Sequence, residues 1–295
     1  MISIIITAFK ESKTIGKAIE SFINQDIKEK YELIISAPDK KTLDVAKKFV
    51  RKNKSIKLSK DPGKGKSYAL NLLLSKVKGR IIILSDGDVY VSNNSVNEIL
   101  KEFENSKIGC VTGRPVPMED RKTKYGYWAN FLFYSAHRLR KKLRQENKFL
   151  ECSGYLWAFK NNVIKNFPLD VAEDTIIPYF FWEKGFKIGY AENALVYIKN
   201  VDNWKEWLSQ KTRTSKAHET LDKYVDTKKT PRTKTFLNEA KGFFDLFLYA
   251  KTFKEFFWSI ELIFARFYMW IVVFSEVYLK KKYHQDKWKR VESTK

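Results

Sequence analysis

The chain has 295 residues, of which 44% are hydrophobic and 15% aromatic, and this composition excludes a mostly disordered protein. Its formal charge of +22 predicts an anionic partner, which could be nucleic acid, an anionic membrane surface or a phosphorylated substrate. Two cysteines without metal-like spacing are too few for a disulfide framework, so we expect a reducing compartment.

Short apolar runs alternate with amphipathic segments over the N-terminal third of the chain. The first run lacks the basic start and the cleavage site of a signal peptide, so it predicts a buried strand. The predicted strands are Ile2–Thr7, Glu32–Ser36, Ile56–Leu58 and the run that ends at Asp86. The predicted helices begin near Ser12, at Leu43 and after the loop at residues 61–65. This alternation with short connections predicts an α/β fold with a doubly wound, mostly parallel sheet.

The fourth predicted strand ends in an acidic turn. The apolar run Ile81–Leu84 is followed by Ser85 and then by Asp86-Gly87-Asp88. Ligands of open α/β sheets gather at the carboxyl ends of the strands. Two carboxylates at such an end offer the oxygen ligands that Mg²⁺ or Mn²⁺ prefers, and the ion could also hold the phosphates of a substrate. A solvated Asp-Gly turn is the alternative interpretation.

Gly65-Lys66-Ser67 begins the third predicted helix and suggests a phosphate-binding loop. The Walker pattern is incomplete, because it needs a glycine where this chain has Lys60. A lysine at a helix start still favours phosphate, since the first N–H groups of the helix have no intrahelical partner. A solvated surface lysine is the alternative.

The middle of the chain carries a second acidic pair. Glu173-Asp174 lies in Phe167–Tyr179, where the pattern predicts a helix start. Helix capping alone would explain acids at this place, because the helix dipole favours negative charge there.

The other predicted elements are helices over Ser95–Phe103, 119–149 and Asn203–Lys216, and strands over Ile108–Thr112, Phe149–Phe159 and a closing segment that covers Gly185–Gly189 and Ala194–Ile198.

Composition divides the chain into three parts. Residues 222–235 are polar and basic, which predicts a linker after an α/β domain formed by residues 1–221. Residues 236–295 differ from both, with apolar residues at helical spacing and a basic tail from Lys280. A basic tail favours the cytoplasmic side of a membrane.

The longer of two predicted C-terminal helices begins at Thr252 and Glu255, which match a capping box, and extends to Leu279. Charges such as Arg266 interrupt it, and its longest charge-free run, Phe267–Ser275, is well below the ~20 residues that a bilayer crossing needs. We therefore expect aromatic-rich helices in the interface of a membrane, with lysines against anionic lipid at the cytoplasmic face. The alternative is a helical pair packed on the α/β domain or on a partner subunit.

Several segments together resemble the motifs of family-2 glycosyltransferases, which are inverting enzymes with a GT-A fold. They occur in the order and spacing of that family and cover roughly residues 1–216. The segments are Ile6–Ser12, Gly65–Asn71, Asp86–Asp88, Cys152–Gly154, Ala172–Asp174 and Gln210–Thr214. Each is weak alone, and the combination identifies the chain as similar to this family.

The resemblance implies how a nucleotide-sugar donor, expected to be a UDP-sugar, would be held. Mg²⁺ or Mn²⁺ would lie on Asp88 and neutralise the leaving diphosphate, and Asp86 would contact the ribose and the same metal. Lys66 and Arg213 would hold phosphate oxygens, Arg213 by its planar fork of donors. Gln210, in the motif of Arg213, would also contact the donor.

The remaining site residues also follow from the resemblance. Thr7, Glu11 and Asp39 would line the base and ribose pocket, although many relatives carry consecutive aspartates near the place of Asp39. Inversion needs a general base that takes the acceptor's hydroxyl proton as C1 is attacked. Asp174 is expected in that role, with Glu173 as its supporting neighbour and as the second choice. The acceptor would be lipid-linked or another saccharide near the membrane.

Three alternatives remain beside single transfer. Thr214 replaces a tryptophan that helps to close the acceptor site in membrane-bound synthases of the family, which disfavours a processive polysaccharide synthase. A nucleotide-sugar pyrophosphorylase would have a glycine-rich segment after the first strand, where this chain has Ala8–Glu11. A nucleic-acid-binding protein would fit the charge of +22, but the basic residues are dispersed and no base-reading module is present. We therefore expect no nucleic acid.

Overall fold

The computed structural model describes residues 1–240, 242–283 and 294. An eight-stranded sheet forms the centre, and helices cover both of its faces. The strands are β1 (Ile2–Thr7), β2 (Tyr31–Ala37), β3 (Ile56–Lys60), β4 (Ile81–Asp86), β5 (Val89–Val91), β6 (Ile108–Pro117), β7 (Leu156–Lys160) and β8 (Lys187–Ile198). The helices are α1 (Ile15–Ile23), α2 (Lys40–Val50), α3 (Lys66–Leu74), α4 (Ser95–Glu102), α5 (Lys124–Gln145), α6 (Glu173–Glu183), α7 (Trp204–Lys216), α8 (Phe236–Ala240), α9 (Phe243–Tyr249) and α10 (Phe253–Phe274).

The strand order is β3-β2-β1-β4-β7-β6-β8-β5, and the first four strands of that order are parallel. β7 runs antiparallel to both of its neighbours and β5 runs antiparallel to β8, so the sheet as a whole is mixed. The predicted α/β fold is confirmed. Parallel strands bring their carboxyl ends to one edge, and there Thr7 lies in register with both Ser36 and Asp86.

Burial on both faces explains the position of β1 near the centre of the sheet. All residues of Ile2–Thr7 are buried. Ile2, Ile4 and Ile6 pack in the layer that contains α1 and α2, whereas Ile5 packs in the opposite layer with α3 and α6. A strand that is covered on both faces carries apolar residues at successive positions, which is the pattern that predicted β1 and β4.

Two of the predicted boundaries that the structure corrects are those of α2 and β7. α2 begins earlier than predicted, at Lys40, because Asp39 caps it by accepting a hydrogen bond from the Thr42 N–H at 3.0 Å. The strand expected over Phe149–Phe159 is limited to β7, since the chain turns at Gly154-Tyr155 before the strand begins. The two parts of the closing segment form one continuous strand, β8.

The C-terminal helices pack on the α/β domain. α9 and α10 share a hydrophobic core with α5 and α7, in which Trp128, Trp207, Leu262 and Met269 are buried. The apolar segment 236–248 forms two short helices, α8 and α9, instead of one. The alternative interpretation of the sequence, a helical pair packed on the α/β domain, therefore holds for the inner side of this region.

The two faces of α10 differ in character. Three of its charged residues, and Glu276 in the π-helical turn that follows, form ion pairs with other parts of the protein, namely Glu255 with Arg121, Glu261 with Lys124, Arg266 with Glu239 and Glu276 with Lys216. The outer face carries exposed apolar side chains at helical spacing, namely Phe253, Phe257, Phe264, Phe267, Ile271 and Phe274. Among the described residues, Phe253–Leu279 is the one helix whose length and composition suit a membrane crossing, and an 18-residue window within it has a mean hydropathy of 1.6.

The segment predicted as a linker also contacts the domain. Within residues 222–235, Arg232 forms ion pairs with Glu219 and Asp222, the first at 2.9 Å. Of the predicted basic tail, residues 284–293 and 295 lie outside the described residues.

Candidate active site

A cavity of about 1040 Å³ opens where the carboxyl ends of β1 and β4 meet the start of α6. α5, α7 and residues that follow α7 form its other walls. Every predicted site residue except Asp39 lines this cavity. The predicted residues that it brings together are Thr7, Glu11, Lys66, Asp86, Asp88, Glu173, Asp174, Gln210 and Arg213.

The acidic turn after β4 is held close to the end of β1. Thr7 Oγ1 donates to Asp86 Oδ1 at 3.4 Å, and the Gly87 N–H donates to the Thr7 carbonyl at 2.9 Å. A side chain at position 87 is excluded, because a Cβ there would lie 2.7 Å from the Cβ of Ala8. This close approach positions Asp88, the next residue, on the cavity wall.

Lys66, the first residue of α3, forms the central ion pairs of the cavity. Its Nζ lies 2.7 Å from Asp86 Oδ1 and 2.8 Å from Glu173 Oε1, and 14% of its side chain is exposed. Burial lowers the pKa of Lys66, but the attraction of the two carboxylates outweighs burial and raises the pKa above its ordinary value. Lys66 therefore joins the end of β4 to the start of α6, and it is not a solvated surface lysine.

Asp174 lies next to this bridge in the first turn of α6. Its pKa is raised to about 6, first by burial and then by the charge of Glu173. Lys66, His218 and the Gly154 N–H act in the opposite direction. Gly154 packs so closely that a Cβ there would lie 2.9 Å from Asp174 Oδ2. A half-buried carboxylate with this pKa is ionised at neutral pH and can accept a proton, as a general base must.

Tyr155 lies between the acidic turn and α7, and the sequence analysis missed it. Burial is the main cause that raises the pKa of Tyr155, and the charges of Asp88 and Asp86 raise it further. Arg213 of α7 lowers the same pKa. Since Tyr155, Arg213 and Gln210 all line the cavity, α7 contributes one wall of the space beside the acidic turn.

Asp39 lies outside the cavity lining, at the start of α2. Its carboxylate accepts hydrogen bonds from the Lys10 N–H at 2.7 Å and from Thr42. Burial raises the pKa of Asp39, but these hydrogen bonds outweigh burial and hold the pKa below its ordinary value. Asp61, which the sequence analysis did not single out, is buried nearby, and it accepts a hydrogen bond from Ser36 Oγ at 3.1 Å. Burial, and then the charge of Asp39, raise the pKa of Asp61.

The acidic turn has the donor chemistry that suits Mg²⁺ or Mn²⁺, since both ions prefer carboxylate oxygens. Asp86 uses Oδ1 for its hydrogen bonds with Thr7 and Lys66. The described residues contain no group of three His, Cys, Asp or Glu side chains that could hold a metal ion. The chain would thus supply the carboxylates of Asp86 and Asp88, and oxygens of phosphate and water would have to complete the coordination shell.

A second buried polar network lies on the wall beside Asp174. Glu151 accepts hydrogen bonds from the Tyr179 hydroxyl and the Thr233 N–H, both at 3.3 Å. His218 Nδ1 lies 3.5 Å from the same carboxylate, as an ion pair when the imidazole is protonated. No spacing rule links these residues in the sequence, so their proximity is a finding of the structure.

Comparison with known sequences agrees with this geometry. Residues 3–167 match the family described as Glycosyl transferase family 2. The probable glycosyltransferase YdaM of Bacillus subtilis (strain 168) is 25% identical over 272 residues, which cover 88% of this chain and 64% of YdaM. The chain therefore spans less than two thirds of that relative.

Two solved structures share the fold. The mannosyltransferase PcManGT from Pyrobaculum calidifontis, in complex with GDP-Man and Mn²⁺, has a TM-score of 0.65 at 14% identity, over 95% of this chain and 87% of that one. S. aureus TarS 1–349, in complex with UDP-GlcNAc, has a TM-score of 0.53 at 14% identity, over 99% of this chain and 95% of that one. At such low identity the likeness shows the fold alone.

Proposed function

Because the chain belongs to glycosyl transferase family 2, we propose a specific reaction for this glycosyltransferase. It transfers one sugar from a UDP-sugar to a hydroxyl group of a membrane-proximal acceptor, with inversion at C1. The observation that carries the proposal is the bridge of Lys66 between Asp86 and Glu173. This bridge joins a turn suited to a diphosphate and its cation to the helix turn that carries the half-buried carboxylate of Asp174.

Asp174 is the general base of the proposed reaction. The acceptor oxygen attacks C1 of the donor sugar, the bond from C1 to the phosphate oxygen breaks, UDP leaves, and the hydroxyl proton passes to Asp174. The pKa of about 6 supports this role, because the carboxylate is ionised at neutral pH and still accepts a proton readily. Glu173 is paired with Lys66 at 2.8 Å, so we assign it a positioning role.

The donor's diphosphate would be held by residues of two walls. Asp88 and Asp86 would carry Mg²⁺ or Mn²⁺, which when bound neutralises charge on the leaving group. Arg213 lines the same cavity, and its planar guanidinium suits phosphate oxygens, with Gln210 beside it on α7. Lys66 is engaged by two carboxylates, so in this proposal it acts through Asp86 and not by binding phosphate.

The identity of the donor nucleotide is a further part of the proposal. Thr7 and Glu11 line the cavity beside the acidic turn, and Asp39 and Asp61 lie at the ends of β2 and β3. A carboxylate there could accept the imide N–H of uracil. Guanine also offers N–H donors, and the structures that share the fold contain GDP-Man in one case and UDP-GlcNAc in the other. UDP- and GDP-sugars therefore have to be compared directly.

The outer face of α10 supports an acceptor at the membrane. Phe257, Phe264 and Phe267 are at least half exposed, and exposed apolar side chains at helical spacing suit the interface of a bilayer. A charge of +22 suits anionic lipid, so we propose a peripheral position on the cytoplasmic face with a lipid-linked or saccharide acceptor. Sedimentation with phosphatidylglycerol vesicles tests this position, and a Phe257→Ser/Phe264→Ser variant that still sediments with them would refute it.

Single transfer is favoured over a processive synthase by the end of α7. Thr214 is exposed, and its hydroxyl donates to the carbonyl of Gln210 at 2.9 Å. A side chain of this size, turned back on its own helix, provides no ring to cover an acceptor. We therefore expect products that carry one added sugar.

The experiment that tests the function uses the purified full chain with a panel of UDP- and GDP-sugars, with Mg²⁺ or Mn²⁺, and measures the released nucleoside diphosphate. On the donor that is used, Asp174→Asn should lower transfer by about 10²- to 10⁴-fold, because a general base contributes that much. Donor binding, measured by calorimetry, should remain. Asp202→Asn, at an exposed aspartate, is the control. Lost donor binding in Asp174→Asn would make Asp174 a donor-site residue instead.

A further inference from the structure

Among the residues that the structure describes, two lysines on the wall of the cavity lack the kind of partner that Lys66 has. Lys211 of α7 and Lys234, which precedes α8, both line the cavity. Within the part of the chain that the structure describes, neither Nζ forms a hydrogen bond or an ion pair. Burial is the main cause that lowers the pKa of Lys211 to about 7 and that of Lys234 to about 8, and the charge of Arg266 lowers both further.

The two acids that raise the pKa of Lys234 most, Glu239 and Glu151, are engaged by other donors. Glu239 accepts hydrogen bonds from Arg266 Nε and Trp270 Nε1, both at 3.0 Å, and from Arg266 Nη2. Glu151 accepts from Thr233 and Tyr179, as described above. Both acids raise the pKa of Lys234, but burial outweighs them. The wall thus carries positive charge that its own carboxylates do not neutralise by contact.

This positive charge lies in the same cavity as the proposed base. The charge of Asp174 acts on Lys234, as does that of Glu151, so the lysine lies within electrostatic range of the carboxylate that would receive the acceptor's proton. Cations held away from water are costly unless an anion accompanies them. The donor's diphosphate has its own candidates in Arg213 and the acidic turn. The lysines are therefore available for a second anion.

We propose that Lys211 and Lys234 form an acceptor subsite for a phosphate group carried by the molecule that is glycosylated. The proposal rests on the proposed function, because it takes the wall beside Asp174 to be the acceptor side. A phosphate offers several acceptor oxygens to two ammonium groups, each with three donors. A neutral sugar would offer neither ammonium group an anionic partner, so the subsite selects acceptors that carry phosphate near the reacting hydroxyl.

Thermal unfolding of the full chain tests the subsite, with UDP and Mg²⁺ saturating so that the donor's phosphate positions are filled. Glycerol 1-phosphate should raise the Tm by about 3 °C at roughly tenfold excess over its Kd, because it binds the folded state. Uncharged glycerol should not. The rise should be lost in Lys211→Gln/Lys234→Gln and kept in Lys205→Gln/Lys228→Gln, which replaces two exposed lysines, one on α7 and one in the segment of Lys234.

A second arm replaces glycerol 1-phosphate with vesicles that contain phosphatidic acid. A rise with the free ester assigns the phosphate to a soluble acceptor, and a rise confined to vesicles but lost in Lys211→Gln/Lys234→Gln assigns it to a lipid. No rise in either arm, an undiminished rise in that double variant, or an equal rise with glucuronate would overturn the subsite. Release of UDP from a UDP-sugar by the wild type is measured separately. Turnover without a phosphate response would refute the subsite and leave the proposed function standing.

Discussion

Lys66 and Lys211 line the same cavity, yet their pKa values are shifted in opposite directions. Burial lowers the pKa of both lysines. Lys66 lies within 2.8 Å of the carboxylates of Asp86 and Glu173, and their attraction outweighs burial. Lys211 has no such contact in the described residues, so burial prevails and its pKa is about 7. The partner of a buried cation, more than its depth, determines its charge state.

This difference in partners distinguishes Lys66, a cation that stabilises the fold, from Lys211, a cation that is available to bind a ligand. The bridge of Lys66 is complete without substrate and connects α3, β4 and α6. Lys211 and Lys234 are a cost to the folded protein until an anion arrives, which is a property of binding sites more than of structural positions. One side of the cavity is therefore preorganised, and the other is completed by what binds to it.

Removal of the Lys66 bridge should have the largest effect, on both the stability of the fold and the rate of transfer. Lys66→Met leaves Asp86 and Glu173 without their cation, and breaking such a pair costs about 3–5 kcal/mol. We expect a loss of this size in the free energy of unfolding, measured by urea titration, together with loss of transfer. Lys64→Met, at an exposed lysine just before α3, is the matched control and should change stability by at most about 1 kcal/mol, because it loses only an exposed cation–π contact with Tyr68. If both variants were equally stable, the bridge would not be structural.

Loss of the proposed metal should have the second-largest effect, and it should change activity more than stability. Asp88→Asn and chelation should each lower transfer by about 10²- to 10³-fold, because neutralisation of the leaving diphosphate contributes several kcal/mol to the transition state. The free energy of unfolding should fall far less than in Lys66→Met, since Asp88 is not part of the bridge. Nucleoside diphosphate release measures the rate. Transfer that survives both changes would remove the metal from the proposal.

The preorganised side of the cavity could be predicted from the sequence for physical reasons. A strand buried on both faces is a continuous apolar run, and the acids that follow it must lie at the edge of the sheet. This placed Asp86 and Asp88 beside Thr7, and the local pattern placed Glu173-Asp174 at a helix start. The reach of Lys66 to both acids could not be predicted, because it depends on how α3 packs between β4 and α6.

The other side of the cavity could not be predicted in the same way. Lys234 lies in a polar, basic segment, and composition does not distinguish a solvated linker from a chain that folds over a cavity. α10 is a different case, because its sequence contained the information. Glu255, Leu262, Arg266 and Met269 recur at the spacing of one buried face. The spacing of the charges along the sequence does not show on which side of the helix they lie, so it does not reveal this buried face.

The pH dependence of transfer tests the charges next to the bridge. Asp174 must be ionised to accept the proton, so kcat/KM should fall about tenfold for each pH unit below the pKa of about 6. In Glu173→Gln the fall should begin at a lower pH, because the charge of Glu173 is one cause of the raised pKa. Initial rates from about pH 4.5 to 8 measure both profiles. A flat profile, or identical profiles, would place the general base elsewhere.

The smallest effect is expected at Lys211, which forms no ion pair with any residue that the structure describes, and the change in stability has the opposite sign to that of Lys66→Met. The pKa of Lys211 is about 7 in the folded protein and 10.5 ordinarily, so between these values the unfolded chain binds more protons and stability rises with pH. At and below pH 7, most or all of the free-energy cost of burying the charged form of Lys211 is present. Lys211→Gln should therefore be more stable than the wild type by about 1–3 kcal/mol at pH 6 to 7, and the gap should close toward pH 10.

Urea titrations at several pH values measure this gap, and Lys205→Gln, at an exposed lysine of the same helix, should show no gap at any pH. Glycerol 1-phosphate at saturation should reverse the order of stability at neutral pH, because only the wild type has the full pair of lysines to bind it. If Lys211→Gln were less stable than the wild type at every pH, the side chain would contribute packing that outweighs its desolvation. Lys211 would then resemble Lys66 as a structural cation, and the contrast between the two sides of the cavity would fail.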